Sequence, residues 1–268
     1  MTRLRTLLFL TIACAVALPT VAPTFAQRAS GEQRRSGNRQ VVVSAAVSLT
    51  EVLQQLAPMY QQASGDQIVL NVGASNTLAR QIRFDAGVDL FISADQAQMD
   101  AVATHIDAST RVALLSNQLA IAIPDDRPRT MTSARDLLDP AIRRIAIGDP
   151  AAVPAGVYAK QYLQSIGVWP EVAPKIVPAG SVRLALAAVE SGGADAAIVY
   201  HTDVAIAPHA REALLIPAGE GPRIVYPAAI VRAGKNPDGG RRFLAFLQTP
   251  AAAAVFERAG FKALPATR

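Results

Sequence analysis

The chain has 268 residues, 51% of them hydrophobic and 18% charged, which supplies a sizeable core and excludes a disordered chain. Its net charge of +5 sits at one end: Arg3 and Arg5 give residues 1–26 a charge of +2, and four arginines against Glu32 give residues 27–40 a charge of +3. Residues 41–268 are therefore neutral, which excludes the basic footprint of a nucleic-acid binder.

In chain order, the first expected element is a leader. Arg3 and Arg5 precede an apolar run from Leu7 to Leu18, and Thr24-Phe25-Ala26 ends it with small residues at the positions a signal peptidase reads. The run is too short to span a bilayer as a helix, and no other stretch reaches eighteen apolar residues. Residues 1–26 are thus expected to be a signal peptide and residues 27–40 a flexible spacer. The single cysteine, Cys14, lies inside the leader, so cleavage after Ala26 leaves a chain without thiol chemistry. Lipidation at Cys14 is the second choice, because Thr11-Ile12-Ala13 fits that signal poorly.

From residue 41 short β-rich runs alternate with amphipathic segments. Strands are predicted at Val41–Val43, Ile68–Val72, Leu90–Ile92, Leu119–Ile123, Ile145–Ile147, Lys175–Val177, Ala196–Tyr200 and Ile224–Val231. Helices are predicted at Leu49–Tyr60, Leu78–Phe84, Gly156–Ile166, Val182–Ser191 and Arg241–Gly260, the last interrupted near Pro250. Pro58 is expected to kink the first helix or end it early. The alternation predicts an α/β protein with mostly parallel sheets, and its length predicts two lobes. No dinucleotide or phosphate-loop motif occurs, and His105, His201 and His209 lack metal-ligand spacing.

Three strand-to-helix junctions carry concentrated hydrogen-bond donors. In Ser44–Glu51, Ser48 occupies the N-cap position with Glu51 three residues on, the pattern of a capping box. In Val72–Leu78, Gly73 allows close approach, Ser75 offers a hydroxyl, and the amides of Asn76 and Thr77 are expected to point out of the helix start as an anion site. In Gly148–Ala159, Pro150, Pro154 and Gly156 set a rigid loop ahead of a helix. Serines at such places usually only cap. Two junctions of one kind at the carboxyl edge of one sheet favour a binding site.

Several segments together resemble the periplasmic molybdate-binding proteins of ABC importers. They are residues 46–50 (AVSLT), 73–82 (GASNTLARQI), 89–95 (DLFISAD), 148–150 (GDP) with 153–160 (VPAGVYAK), and 197–200 (AIVY). The likeness covers essentially all of residues 41–262. It implies a type II periplasmic binding protein, with two α/β lobes, a two-segment hinge and an interlobe cleft that closes on its ligand. One lobe would comprise residues 41–118 and 226–268, the other residues 119–225. The resemblance further implies a tetrahedral oxyanion, molybdate or tungstate, held by the hydroxyls of Ser48, Ser75 and Tyr200 and the backbone amides of Ala155 and Val182. No protein atom would bind the metal directly, no cofactor is implied, and the protein would be a periplasmic monomer that serves a membrane permease. Val47 is bulkier than the alanine often found before the first serine of this family. None of the five positions is charged, so oriented dipoles and hydrogen bonds would have to neutralise the dianion.

Two other readings compete. Another tetrahedral oxyanion such as sulfate would use the same donors, whereas phosphate would call for a carboxylate that none of the five positions supplies. A secreted serine hydrolase would use Ser75 in Gly73–Thr77 with His201 or His209 as base, but Thr77 replaces the glycine a nucleophile elbow needs. A cytoplasmic regulator of the same fold conflicts with the leader.

Overall fold

The computed structural model describes residues 40–127 and 129–265. The expected leader, Cys14 and all but the last residue of the spacer lie outside them. Strands β1 (Gln40–Ala46), β2 (Gln67–Gly73), β3 (Leu90–Ile92) and β4 (Val112–Asn117) come first. They are followed by β5 (Leu119–Pro124), β6 (Ile145–Gly148), β7 (Ile176–Ala179), β8 (Ala196–Tyr200) and β9 (Ala210–Leu215). The chain closes with β10 (Ile224–Ile230) and β11 (Lys262–Ala263). The helices are α1 (Thr50–Ser64), α2 (Ser75–Arg83), α3 (Gln96–Asp100), α4 (Pro154–Ser165) and α5 (Trp169–Val172). After these come α6 (Val182–Glu190), α7 (His201–Val204), α8 (Pro237–Leu247) and α9 (Pro250–Arg258).

Two sheets result, ordered β11-β4-β10-β3-β1-β2 and β7-β6-β8-β5-β9. The chain leaves the first sheet for the second through Gln118 alone and returns through residues 216–223. The sheets are mixed, which corrects the expectation of mostly parallel pairing. β1 runs parallel to β2 and β3, and β6 parallel to β7 and β8. β5 and β10, the strands that follow the two crossings, run against every neighbour they pair with. Strand β9 escaped the sequence reading because Arg211 and Glu212 break its apolar pattern. An edge position tolerates them.

The core follows the strand faces. Val41, Val43, Leu90, Ile92, Ile121, Ile145, Ile147 and Ile198 are buried, as are Leu53, Leu56 and Leu186 on the inward faces of the helices. Helix α1 runs six residues past Pro58, so the proline does not end it early. Proline removes one backbone donor and crowds the preceding turn, but the turn beyond it is anchored from outside. Tyr60 packs against Phe243 and Phe246 at 5.0 and 5.3 Å between ring centroids and donates its hydroxyl to Asp66 at 3.0 Å. Gly65, at a φ of 72°, then ends the helix in the left-handed conformation.

The register of the parallel strands determines what meets at the cleft. Ala46 of β1 pairs with Gly73 of β2, so the turns into α1 and α2 leave the first sheet side by side. Gly148 of β6 pairs with Ala179 of β7, and Ile147 pairs with Ile198 two residues before the end of β8. The carboxyl ends of three strands of the second sheet thus open onto one edge, the usual location of ligands in open α/β sheets.

Candidate functional site

One small cavity, partly open to solvent, lies between these edges. Ser48, Ser75, Ala155, Val182 and Tyr200 all line it, together with Val47, the bulky residue beside the first serine. The structure therefore brings the five positions named from the sequence to one place. No charged side chain and no histidine is among the lining residues.

Ser48 is not a cap. Residues Val47–Leu49 form a single 3-10 turn, α1 starts one residue later behind Leu49, and no side chain caps it. The expected capping box is absent because both of its members are engaged elsewhere. Ser48 is buried with its Oγ 3.0 Å from the Tyr226 hydroxyl, and Glu51 receives two hydrogen bonds from Arg183 at 2.7 and 3.0 Å. Ser75 likewise does not cap: it is the first residue of α2, and its Oγ accepts the amide of Ala94 at 2.9 Å. The amide of Thr77 is not available as expected either, because it donates to Ala74 O at 2.9 Å.

On the opposite wall, the loop after β6 is tied down by its own backbone. The amides of Ala152 and Val153 donate to Asp149 O at 3.1 and 2.9 Å, and that of Asp149 donates to Ala179 O at 2.8 Å. Pro154 then opens α4, so the first helical position that can donate is Ala155. Gly156 sits against this loop so closely that an added Cβ would lie 1.8 Å from Gly148 O. Helix α6 starts similarly. Ser181 caps it by accepting the amide of Leu184 at 3.2 Å, which leaves the Val182 amide at the helix mouth. Each helix start carries unpaired N–H groups and the positive end of a helix dipole.

Tyr200 ends β8 with 1% of its surface exposed, and its hydroxyl has no hydrogen-bond partner among the described residues. Burial pushes the phenol well above its ordinary range, so it keeps its proton and can only offer a neutral O–H. A buried hydroxyl without a partner is costly, and one that faces a cavity lined by donors is matched by an acceptor. Three hydroxyls and two helix starts around a small neutral cavity can therefore hold an anion rich in acceptor oxygens. The hydrolase arrangement is not assembled: neither His201 nor His209 lines the cavity, and His201 pairs with Glu212 at 2.7 Å. Among the described residues no group of three or more His, Cys, Asp or Glu could hold a metal ion.

Residues the sequence reading missed surround these five. Tyr226 and Asn117 lie behind Ser48, and Arg183 joins Glu51 on α1 to Asp203 on α7. Asp203 is fully buried, and desolvation raises its carboxyl to about 6 although Arg183 opposes the shift. A lone tyrosine in the apolar run of β10 was the one local signal for Tyr226. Partners 178 residues apart leave no local pattern.

Residues 41–262 match the family model of bacterial extracellular solute-binding proteins. The molybdate-binding protein ModA of Escherichia coli is 39% identical over 82% of this chain and 88% of its own length. ModA of Haemophilus influenzae is 32% identical over 85% and 92%. The solved periplasmic molybdate-binding protein of Azotobacter vinelandii superposes with a TM-score of 0.74 at 25% identity, covering 84% of this chain and 99% of that one.

Proposed function

The chain belongs to the bacterial extracellular solute-binding proteins, and we propose that it captures molybdate in the five-donor cavity and delivers it to the membrane permease of an ABC importer. The observation that carries the reading is the Tyr200 hydroxyl, buried, protonated and without a partner among the described residues, in a cavity whose other polar side chains are the hydroxyls of Ser48 and Ser75. Ser48, Ser75 and Tyr200 would donate from side chains, and Ala155 and Val182 from the starts of α4 and α6. A tetrahedral dianion is then neutralised by dipoles and charge-assisted hydrogen bonds, and its release breaks no ion pair. Tungstate, with the same charge and shape and nearly the same size, fits the same donors.

Ser48 and Ser75 stand at the first sheet and the other three donors at the second, so all five are satisfied only when the sheets close on the ligand. The first lobe would then be residues 41–117 and the chain from Ile224 on, the second residues 119–215, with Gln118 and residues 216–223 acting as the hinge. The return comes earlier than the expected boundary at residue 225, because Ile224 and Val225 already pair with Asn117 and Ser116 of β4. Among the described residues no helix is long and apolar enough to cross a membrane. Residues 1–26 would direct export to the periplasm, where the protein would work as a monomer. Capture and release require no chemical step and no cofactor.

Calorimetry of the protein lacking residues 1–26 against molybdate, tungstate, sulfate and phosphate tests this. Tight, matched binding of the first two with far weaker sulfate binding is expected, because shorter bonds to oxygen keep sulfate from reaching both walls. Equally tight sulfate binding would overturn the molybdate reading and leave an oxyanion receptor.

A further inference from the structure

Behind Ser48 the hydrogen bonds have a direction that the distances alone do not state. The Asn117 amide is oriented by the Gln118 backbone N–H, which donates to Asn117 Oδ1 at 2.8 Å. Asn117 Nδ2 can therefore only donate, and it reaches Thr202 Oγ1 at 2.9 Å and the Tyr226 hydroxyl at 3.3 Å. The Tyr226 oxygen thus accepts from Asn117, and its own proton needs an acceptor. Tyr226 is fully buried, and Ser48 Oγ, at 3.0 Å, is the acceptor in reach. Were Ser48 instead to donate to Tyr226, the phenol proton would be stranded in the core, at the cost of an unmade buried hydrogen bond.

From this we infer that Tyr226 is a positioning residue that fixes the polarity of Ser48: by donating to Oγ, it turns the serine proton toward the cavity, so that Ser48 meets the ligand as a donor. Ser75 is polarised in the same sense, since its Oγ accepts the Ala94 amide. Ser48 and Ser75 thus face the ligand proton first, and Tyr200 is the one of the three hydroxyls whose direction no partner among the described residues sets. Two hydroxyls held proton first favour a fully deprotonated oxyanion over one that carries a hydroxyl, because the proton of hydrogen phosphate competes with theirs at both serines. The relay also ties Ser48 to both crossings between the sheets. Tyr226 belongs to β10, Asn117 ends β4, and Thr202 lies on α7 of the second half.

This inference rests on the oxyanion reading of the cavity, and a double-mutant cycle separates the two. Calorimetry is run on the wild type, Tyr226→Phe, Ser48→Ala and the double variant with molybdate, sulfate and phosphate near neutral pH. Tyr226→Phe keeps the ring and is expected to weaken molybdate binding about five- to tenfold. It should also raise phosphate relative to molybdate, because the freed Ser48 oxygen can accept the phosphate proton; loss of packing alone would not reorder the anions. In the Ser48→Ala background, Tyr226→Phe should have no further effect. Unchanged molybdate affinity in Tyr226→Phe, an unchanged anion order, or additive losses would overturn the relay. If the wild type binds sulfate in place of molybdate, the cargo reading fails and the cycle is run with sulfate, where the coupling decides the relay alone. A wild type that binds no oxyanion overturns both.

Discussion

Replacing Tyr200 by Phe separates binding from folding more sharply than any other change in the cavity. The ring stays, so its tilted contact with Tyr226 at 5.9 Å between centroids is retained. The hydroxyl that is lost has no partner among the described residues, and its burial holds it protonated. A hydrogen bond to a charged group contributes about 1.5–3 kcal/mol. Molybdate affinity should therefore fall roughly 10- to 150-fold. The ligand-free fold loses no hydrogen bond and is relieved of an unsatisfied polar atom. Its stability should hold or rise by up to about 1 kcal/mol. Calorimetry gives the first number, and urea unfolding with and without saturating molybdate gives the second. Ligand stabilisation should shrink by the same amount that binding loses. A variant that binds as tightly as the parent while its ligand-free form unfolds more easily would refute the reasoning, because the hydroxyl would then be a structural group.

Ser75→Ala should behave differently: besides weakening binding, it orphans the Ala94 amide and should destabilise the ligand-free protein by about 1–3 kcal/mol in urea unfolding. Gly156→Ala places a Cβ 1.8 Å from Gly148 O, a backbone atom that cannot swing aside, so a loss of about 3 kcal/mol or more in thermal unfolding is expected. Arg183→Met removes the partner of buried Asp203 and the link to Glu51, and should cost about 3–5 kcal/mol near neutral pH, read by urea unfolding. Asp203 has a folded-state value of about 6, raised from 3.8, so the stability it contributes is full below about pH 4 and is lost as pH rises through 6. That amounts to about 3 kcal/mol. Relative to Asp203→Asn, the parent should lose stability between pH 4 and 7 by that order, and parallel pH profiles would refute the assignment.

The amino-acid sequence by itself determined the features that depend on neighbours within a few residues. Alternating apolar strands and amphipathic helices specify an α/β chain. Pro150, Pro154 and Gly156 mark a rigid entry into a helix, although the helix starts at Pro154 and not at the expected Gly156. The five cavity positions were named through the family resemblance of motifs that each lie at one strand-to-helix junction. Tertiary structure decided whatever depends on which junctions become neighbours. Ser48 and Glu51 have the spacing of a capping box, yet Tyr226 and Arg183, 178 and 132 residues away in sequence, claim their side chains. Pro58 reads as a kink or an early helix end, yet the helix continues and Tyr60 holds the next turn through Phe243 and Phe246. The antiparallel courses of β5 and β10 follow from the crossings that precede them, which leave no periodicity to read. A local pattern states which hydrogen bonds a side chain can make. Which of them it does make is decided by the competing partner that the packed fold brings within reach.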